Sequence, residues 1–233
     1  MNQFKILAIV LLTLLITSCN KNDDQVTGVG DVMIVAKQSG TGTVYGISMY
    51  AYTLSSFESV TAVSTAEPGK TYTLKANQGY KTNFYFETPE TQFTTTKPAA
   101  TTFDFSATFT NGVKQDFQDV LTDKVLPIPT LDKCEYDDVK HQLDMSWTLI
   151  TDATSYSINI IDGDELVFRS IELKNNIKTS VISTTGTGWA VGFTPEAGKT
   201  YTVRLFAYMF EAGGDAYNIQ ALSFVEKQVV WGN

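Results

Sequence analysis

His141 is the only imidazole in 233 residues, so any Ser-His-Asp or Cys-His nucleophilic device would have to be assembled around it. No Gly-x-Ser-x-Gly elbow, phosphate-cradling glycine loop or His-Glu-x-x-His helix accompanies it. At the head of a strand and without a partner motif, it reads as a surface or rim residue. Cys134, Asp137 and His141 are near enough in sequence to touch one zinc ion, yet three ligands of mixed type with no fourth fall short of a metal set. Asp162-Gly163-Asp164-Glu165 bunches carboxylates in the way calcium prefers. Between Ile160-Ile161 and Leu166-Val167, however, Asp-Gly predicts a hairpin turn with Gly163 at positive φ. Glu211 to Asp215, around Gly213-Gly214, reads as a turn in the same way. Acids are plentiful, 25 in all, but nothing singles out the two that a glycosidase-like pair would need. The residues therefore predict no catalytic group, no metal and no cofactor.

Aromatic side chains offer a different chemistry, because flat rings on a sheet surface stack on sugars. Tyr45, Tyr50, Tyr52, Trp189 and Trp231 are the candidates. Trp189, Val191 and Phe193 share a face at period two, which points Trp189 into a core. Tyr45, Ile47, Met49 and Ala51 share one face of a strand and Tyr50 and Tyr52 the other, so one tyrosine group should be exposed. Tyr50 and Tyr52 are the ligand-binding candidates.

These residues must be held by strands. Period-two alternation bounded by Gly, Asn, Asp and Pro recurs over 32–37, 44–53, 59–64, 71–76, 81–87 and 101–109. It resumes over 142–149, 155–161, 166–173, 180–183, 189–193, 200–209 and 219–230. Between 113 and 121 the apolar spacing is helical, but Asn111-Gly112 just ahead is a hairpin signal and tips the reading to a strand. Many short strands with frequent turns predict an all-β chain of sandwich domains. The Pro-rich stretch Leu126 to Pro129 is the expected boundary, since proline removes backbone donors from a sheet. It gives domains of 28–125 and 126–233, with 19–27 as a flexible tether.

The start of the chain carries an address. Lys5 is followed by an apolar stretch from Ile6 to Ile16, too short to span a bilayer as a helix, which needs about 20 residues. Ile16-Thr17-Ser18-Cys19 resembles the lipobox of bacterial lipoproteins, which implies removal of residues 1–18, acyl chains on Cys19 and a soluble remainder of 215 residues (233 − 18). More than one acyl chain anchors firmly where a single chain holds only marginally. Asn20-Lys21-Asn22-Asp23-Asp24 resembles the export tag of Bacteroidota surface lipoproteins, with Asn22 departing from its lysine-then-acid order. The resemblance implies an outer-membrane, cell-surface site, with the periplasmic face as the alternative. It also leaves Cys134 without a disulfide partner, as a buried small hydrophobe or a free thiol. The processed chain carries a formal charge of −9, from (17 − 1) − 25, which argues against nucleic acid as a partner.

A pentapeptide recurs: Gly69-Lys70-Thr71-Tyr72-Thr73 and Gly198-Lys199-Thr200-Tyr201-Thr202. The flanking lengths do not match, so this is one turn-plus-strand solution used twice, with the tyrosine facing in. In the second half Met145-Ser146-Trp147, Ser155-Tyr156-Ser157-Ile158, and Phe193-Thr194-Pro195 ahead of Thr200 to Ala207 resemble a fibronectin type III domain. That implies a tryptophan packed across the sandwich and a tyrosine of the sixth strand buried against a corner. The first half is sandwich-like by periodicity alone. The combined expectation is two tandem Ig-like or fibronectin type III-like β-sandwiches on a lipid anchor, binding a polysaccharide or an envelope protein without catalysis. The alternative is a carboxylate-dependent hydrolase on the same scaffold.

Overall fold

The computed structural model describes residues 26–77, 79–212 and 218–232. Cys19, the segment before it, most of the tether and the glycine pair of the Glu211–Asp215 turn lie outside the described residues. The described chain is all-β. In the first half lie β1 (Gly28–Ser39), β2 (Gly42–Thr53), β3 (Phe57–Ser64), β4 (Thr71–Asn77), β5 (Tyr80–Glu87), β6 (Thr101–Phe109) and β7 (Lys114–Leu121). The second half holds β8 (Thr130–Asp137), β9 (Gln142–Thr148), β10 (Ser155–Asp162), β11 (Glu165–Arg169), β12 (Leu173–Lys174), β13 (Thr179–Ser183), β14 (Lys199–Phe210) and β15 (Ile219–Trp231). Segment 113–121 is thus a strand, entered through a turn in which Gly112 has φ 83°.

Three elements depart from the sequence reading. Strand β8 escapes the periodicity because its register with β9 shifts between Leu131 and Lys133, which puts Leu131 and Cys134 three residues apart instead of two. The run 166–173 is broken into β11 and β12. The expected strand 189–193 reduces to a single bridge between Trp189 and Phe168. Trp189 and Phe193 still pack inward, their rings stacked with centroids 5.6 Å apart, while Val191 points fully into water.

The second half is a β-sandwich. A three-stranded sheet, β13-β9-β8, faces β11-β10-β14-β15 across one core. Trp147 sits at its centre with Tyr156, Ile158, Val203 and Leu205, all fully buried. The hydroxyl of buried Tyr201 accepts a hydrogen bond from Glu196 N at 2.9 Å, closing the corner five residues upstream as a tyrosine corner does. Removing that hydroxyl in Tyr201→Phe should cost about 1–2 kcal/mol in urea unfolding with the far-UV spectrum unchanged.

The first half wraps a second core, with Val32, Ile34, Met49, Phe57, Phe84 and Phe105 among its members. Its sheet runs β1-β2-β5-β4-β3-β6-β7 and curls until β7 lies beside β1. Side chains make the closing seam: Gln115 Oε1 accepts from Gly28 N at 2.8 Å and Asp119 Oδ2 from Val32 N at 2.7 Å. Gly30 allows the approach, since a Cβ there would lie 2.8 Å from the Phe117 ring and 2.9 Å from Phe105.

Past residue 33 the same edge of β1 changes partner. Ile34 to Lys37 pair in parallel with Ala221 to Phe224 of β15, so one sheet runs through both halves. From Asp31 to Lys37 every residue of β1 is buried, as expected of a strand covered on both faces. A third cluster lies on the face of β1, β14 and β15 that points away from the two cores: Met33, Val35, Phe206, Leu222 and Phe224.

Candidate binding cleft

Alternation explains the third cluster. On β14 and β15 the odd residues Val203, Leu205 and Ala221 serve the second core, so Phe206, Leu222 and Phe224 turn outward. On β1 the even residues serve the first core, so Met33 and Val35 turn toward the same apolar floor. A cleft of about 450 Å³ opens over this floor. Its wall from the second half is Arg204, Phe206 and Phe224; its wall from the first includes Lys75, Tyr85, Glu87, Pro89 and Phe93.

Both walls are fixed by charge on rings. The Arg204 guanidinium lies 4.6 Å from the Phe224 centroid and 5.6 Å from Phe206, and it is ion-paired with Glu226. Opposite, buried Lys37 lies 4.3 Å from the Phe93 ring and is ion-paired with Glu90. The segment that carries Pro89, Glu90 and Phe93 is strapped to β2 at two points. Thr88 Oγ1 accepts from Ile47 N at 2.8 Å, and Thr94 and Tyr45 exchange backbone bonds of 2.7 and 3.0 Å. A ligand would meet preset aromatic faces with little rearrangement, which preserves affinity.

Tyr50 and Tyr52 do share the outer face of β2 but differ in setting. Tyr50 packs against the third cluster, and burial, reinforced by nearby Glu87, pushes its phenol well above the usual range. Tyr208 stands near it, its hydroxyl 2.9 Å from Ser157 Oγ, its phenol also raised by burial. Tyr52 is exposed beside Val29. Tyr50 thus borders the cleft floor and Tyr52 stands apart from it. Phe93, Phe206 and Phe224 had no place among the sequence candidates. The uninterrupted apolar run Val32-Met33-Ile34-Val35-Ala36 was the available signal, since it marks a strand with no solvent face.

The other sequence candidates are dispersed. Cys134 is buried, and burial pushes its thiol up to about 11. Asp137 Oδ1 accepts from Val139 N and Lys140 N, each at 3.0 Å, closing the β8–β9 turn in which exposed His141 has φ 54°. No cluster of three metal-ligating side chains occurs among the described residues. Asp162-Gly163 forms the β10–β11 hairpin, with Gly163 at φ 59°, and Asp162 binds Lys199 at 2.6 Å. Two carboxylates, Glu87 and Glu90, border the cleft. Glu90 is held by Lys37 and is 82% exposed, unlike the desolvated acid that glycoside cleavage uses.

No family model matches the chain, and no curated protein matches it. Among solved structures it is similar to a two-domain fibronectin type III segment of chicken tenascin, at 10% identity and TM-score 0.29, covering 78% of this chain and 91% of that one. It is also similar to fibronectin(III)-like modules of Clostridium thermocellum CbhA, at 11% identity and TM-score 0.26, covering 86% and 94%. A third is SGBP-B of the Bacteroides ovatus mixed-linkage glucan utilization locus, solved in complex with a mixed-linkage heptasaccharide, at 11% identity and TM-score 0.19, covering 89% and 63%. Likeness this faint assigns neither family nor function. What the fold itself defines is an all-β protein with a sandwich half and a shared, aromatic-lined junction. No helix among the described residues is long and apolar enough to cross a membrane.

Proposed function

We propose that this chain is a non-catalytic binding module of the bacterial envelope, anchored by lipid on Cys19 to the outer membrane, that holds a polysaccharide in the cleft between its halves. The two units are 28–125 and 126–233, and the junction they share is the working surface. The reading is carried by the cleft: aromatic rings at fixed positions with cations seated on them. Sugar rings present apolar C–H faces that stack on such rings and hydroxyls that bond the charged groups at their rim. Docking of an envelope protein at the same place is the second form of this function, and hydrolysis by Glu87 and Glu90 is the alternative outside it.

Binding of the lipid-free processed chain to a panel of neutral and acidic polysaccharides, read by affinity electrophoresis, tests the reading. One polysaccharide class should retard the protein, and Phe93→Ala or Tyr85→Ala should weaken that retardation about tenfold, the effect of losing one aromatic stack. Shortening of the polysaccharide during the run would establish the hydrolase instead. Silence across the panel would leave the envelope-protein form.

A further inference from the structure

Five of the thirteen exposed large apolar side chains among the described residues stand at one end of the first half: Val29, Tyr52, Leu54, Tyr80 and Val113. The topology gathers them, since β1 and β5 begin there, β2 ends there and the β6–β7 hairpin turns there. Hydrogen bonds tie the pieces together. Thr53 Oγ1 donates to the Thr27 carbonyl at 2.9 Å, Thr110 N to the Ser56 carbonyl at 3.0 Å, and Gly28 N to Gln115 Oε1 at 2.8 Å. Val29 and Tyr52 are cross-strand neighbours, and Tyr52 also faces Asn83 near the start of β5. The opposite end of the same half, with its turns at 40–41 and 65–70 and the segment 88–100, carries one of the thirteen, Val120 near the end of β7.

We infer that this end rests on the lipid surface. The inference builds on the reading of Cys19 as the lipid anchor and adds an orientation to it. The described chain starts at this end, at Val26, seven residues beyond Cys19. Fully extended, seven residues reach about 25 Å, so an anchored chain holds this end within a short distance of the bilayer. Five dispersed apolar side chains would bind a membrane weakly on their own. Tethering makes the contact intramolecular and replaces affinity by effective concentration.

The residue types fit the interface. Tyrosine is favoured at headgroup depth, and Leu54, 89% exposed, is the most exposed of the five. Lys114 stands beside Val113 and can meet lipid phosphate. Glu87, Pro89 and Phe93 of the cleft belong to the far end of β5 and the segment after it, so the contact turns the cleft outward.

The test uses the processed, lipid-bearing chain with Leu54→Trp, incorporated into phosphatidylethanolamine–phosphatidylglycerol vesicles containing lipids brominated near the headgroup. The emission added by the new indole should fall by at least half, while that of native Trp147, Trp189 and Trp231 stays constant. Adding Tyr80→Asp and Val29→Asp should restore it with the chain still floating on the vesicles. Undiminished emission from a floated chain would overturn the inference and leave the anchor standing. Failure to float, or equal flotation of Cys19→Ala, would remove the anchor and the inference together. Vesicle-free cross-linking of Leu54→Cys between copies would assign the patch to a second copy and also overturn it.

Discussion

Raising the pH from 5 to 9 should lower the unfolding free energy by about 2–4 kcal/mol, and Asp31→Asn should remove most of that slope. Asp31 lies on β1 just ahead of the point where its edge passes from β7 to β15, and its side chain is buried. Burial pushes its carboxyl up to about 8 from an ordinary 3.8, and the charges of Asp119 and Glu211 push the same way against the hydrogen bond from Ile219 N. Because the folded pKa is raised, the folded chain keeps a proton between about pH 4 and 8 that the unfolded chain releases. Stability is therefore highest below the unfolded value and falls as pH rises to the folded one, after which it levels. Each unit corresponds to about 1.4 kcal/mol, and relaxation around the ionised group keeps the total below the full span. Asparagine keeps an oxygen for Ile219 N and does not titrate, so the variant should exceed the wild type in urea midpoint at pH 9. Asp119, also raised by burial, leaves a residual slope of the same sign. A wild-type midpoint independent of pH over this range would remove Asp31 as a buried acid.

Strands were legible because alternation survives wherever one face meets water. Segment 101–109 shows this, with Phe103, Phe105, Ala107 and Phe109 buried and Asp104 and Ser106 exposed. The hairpins at Asn111-Gly112 and Asp162-Gly163 were legible for a local reason, the need for positive φ at glycine. The tyrosine corner was legible because a short motif fixes both strand start and turn. The junction was not. Pairing of β1 with β15 joins residues about 187 positions apart, as in Ile34 with Ala221, and no local pattern encodes it. The cleft inherits that difficulty, since Phe93 sits on an irregular segment and Phe206 and Phe224 face outward from a sandwich whose own core is complete without them. Outward aromatics on a strand have no solvent partner to explain them, and that excess of apolar surface was the trace left in the sequence.

Replacing Trp147 by alanine should cost about 3–5 kcal/mol, whereas Trp147→Phe should cost under about 1.5 kcal/mol. The indole is fully buried on β9, its ring 5.7 Å from that of Tyr156 and in contact with both sheets of the second half. Alanine leaves a cavity at the centre of that core, where strands on either side prevent collapse. Phenylalanine also leaves a void, but it removes a second cost: the Trp147 Nε1 hydrogen is buried with no acceptor among the described residues. A buried donor left unpaired costs about 1–3 kcal/mol, and both variants remove it, so its relief offsets a larger share of the loss in phenylalanine, where less of the ring volume is lost. Urea unfolding of both variants isolates the cavity contribution as their difference, since both lack the indole nitrogen. A cost for phenylalanine of about 3 kcal/mol or more would mean that the indole nitrogen is satisfied in solution. A cost for alanine below 1 kcal/mol would mean that the two sheets are not held by this residue. Because the cleft is built on a different cluster, Trp147→Phe should leave polysaccharide retardation unchanged, which keeps the stability effect distinct from the binding surface.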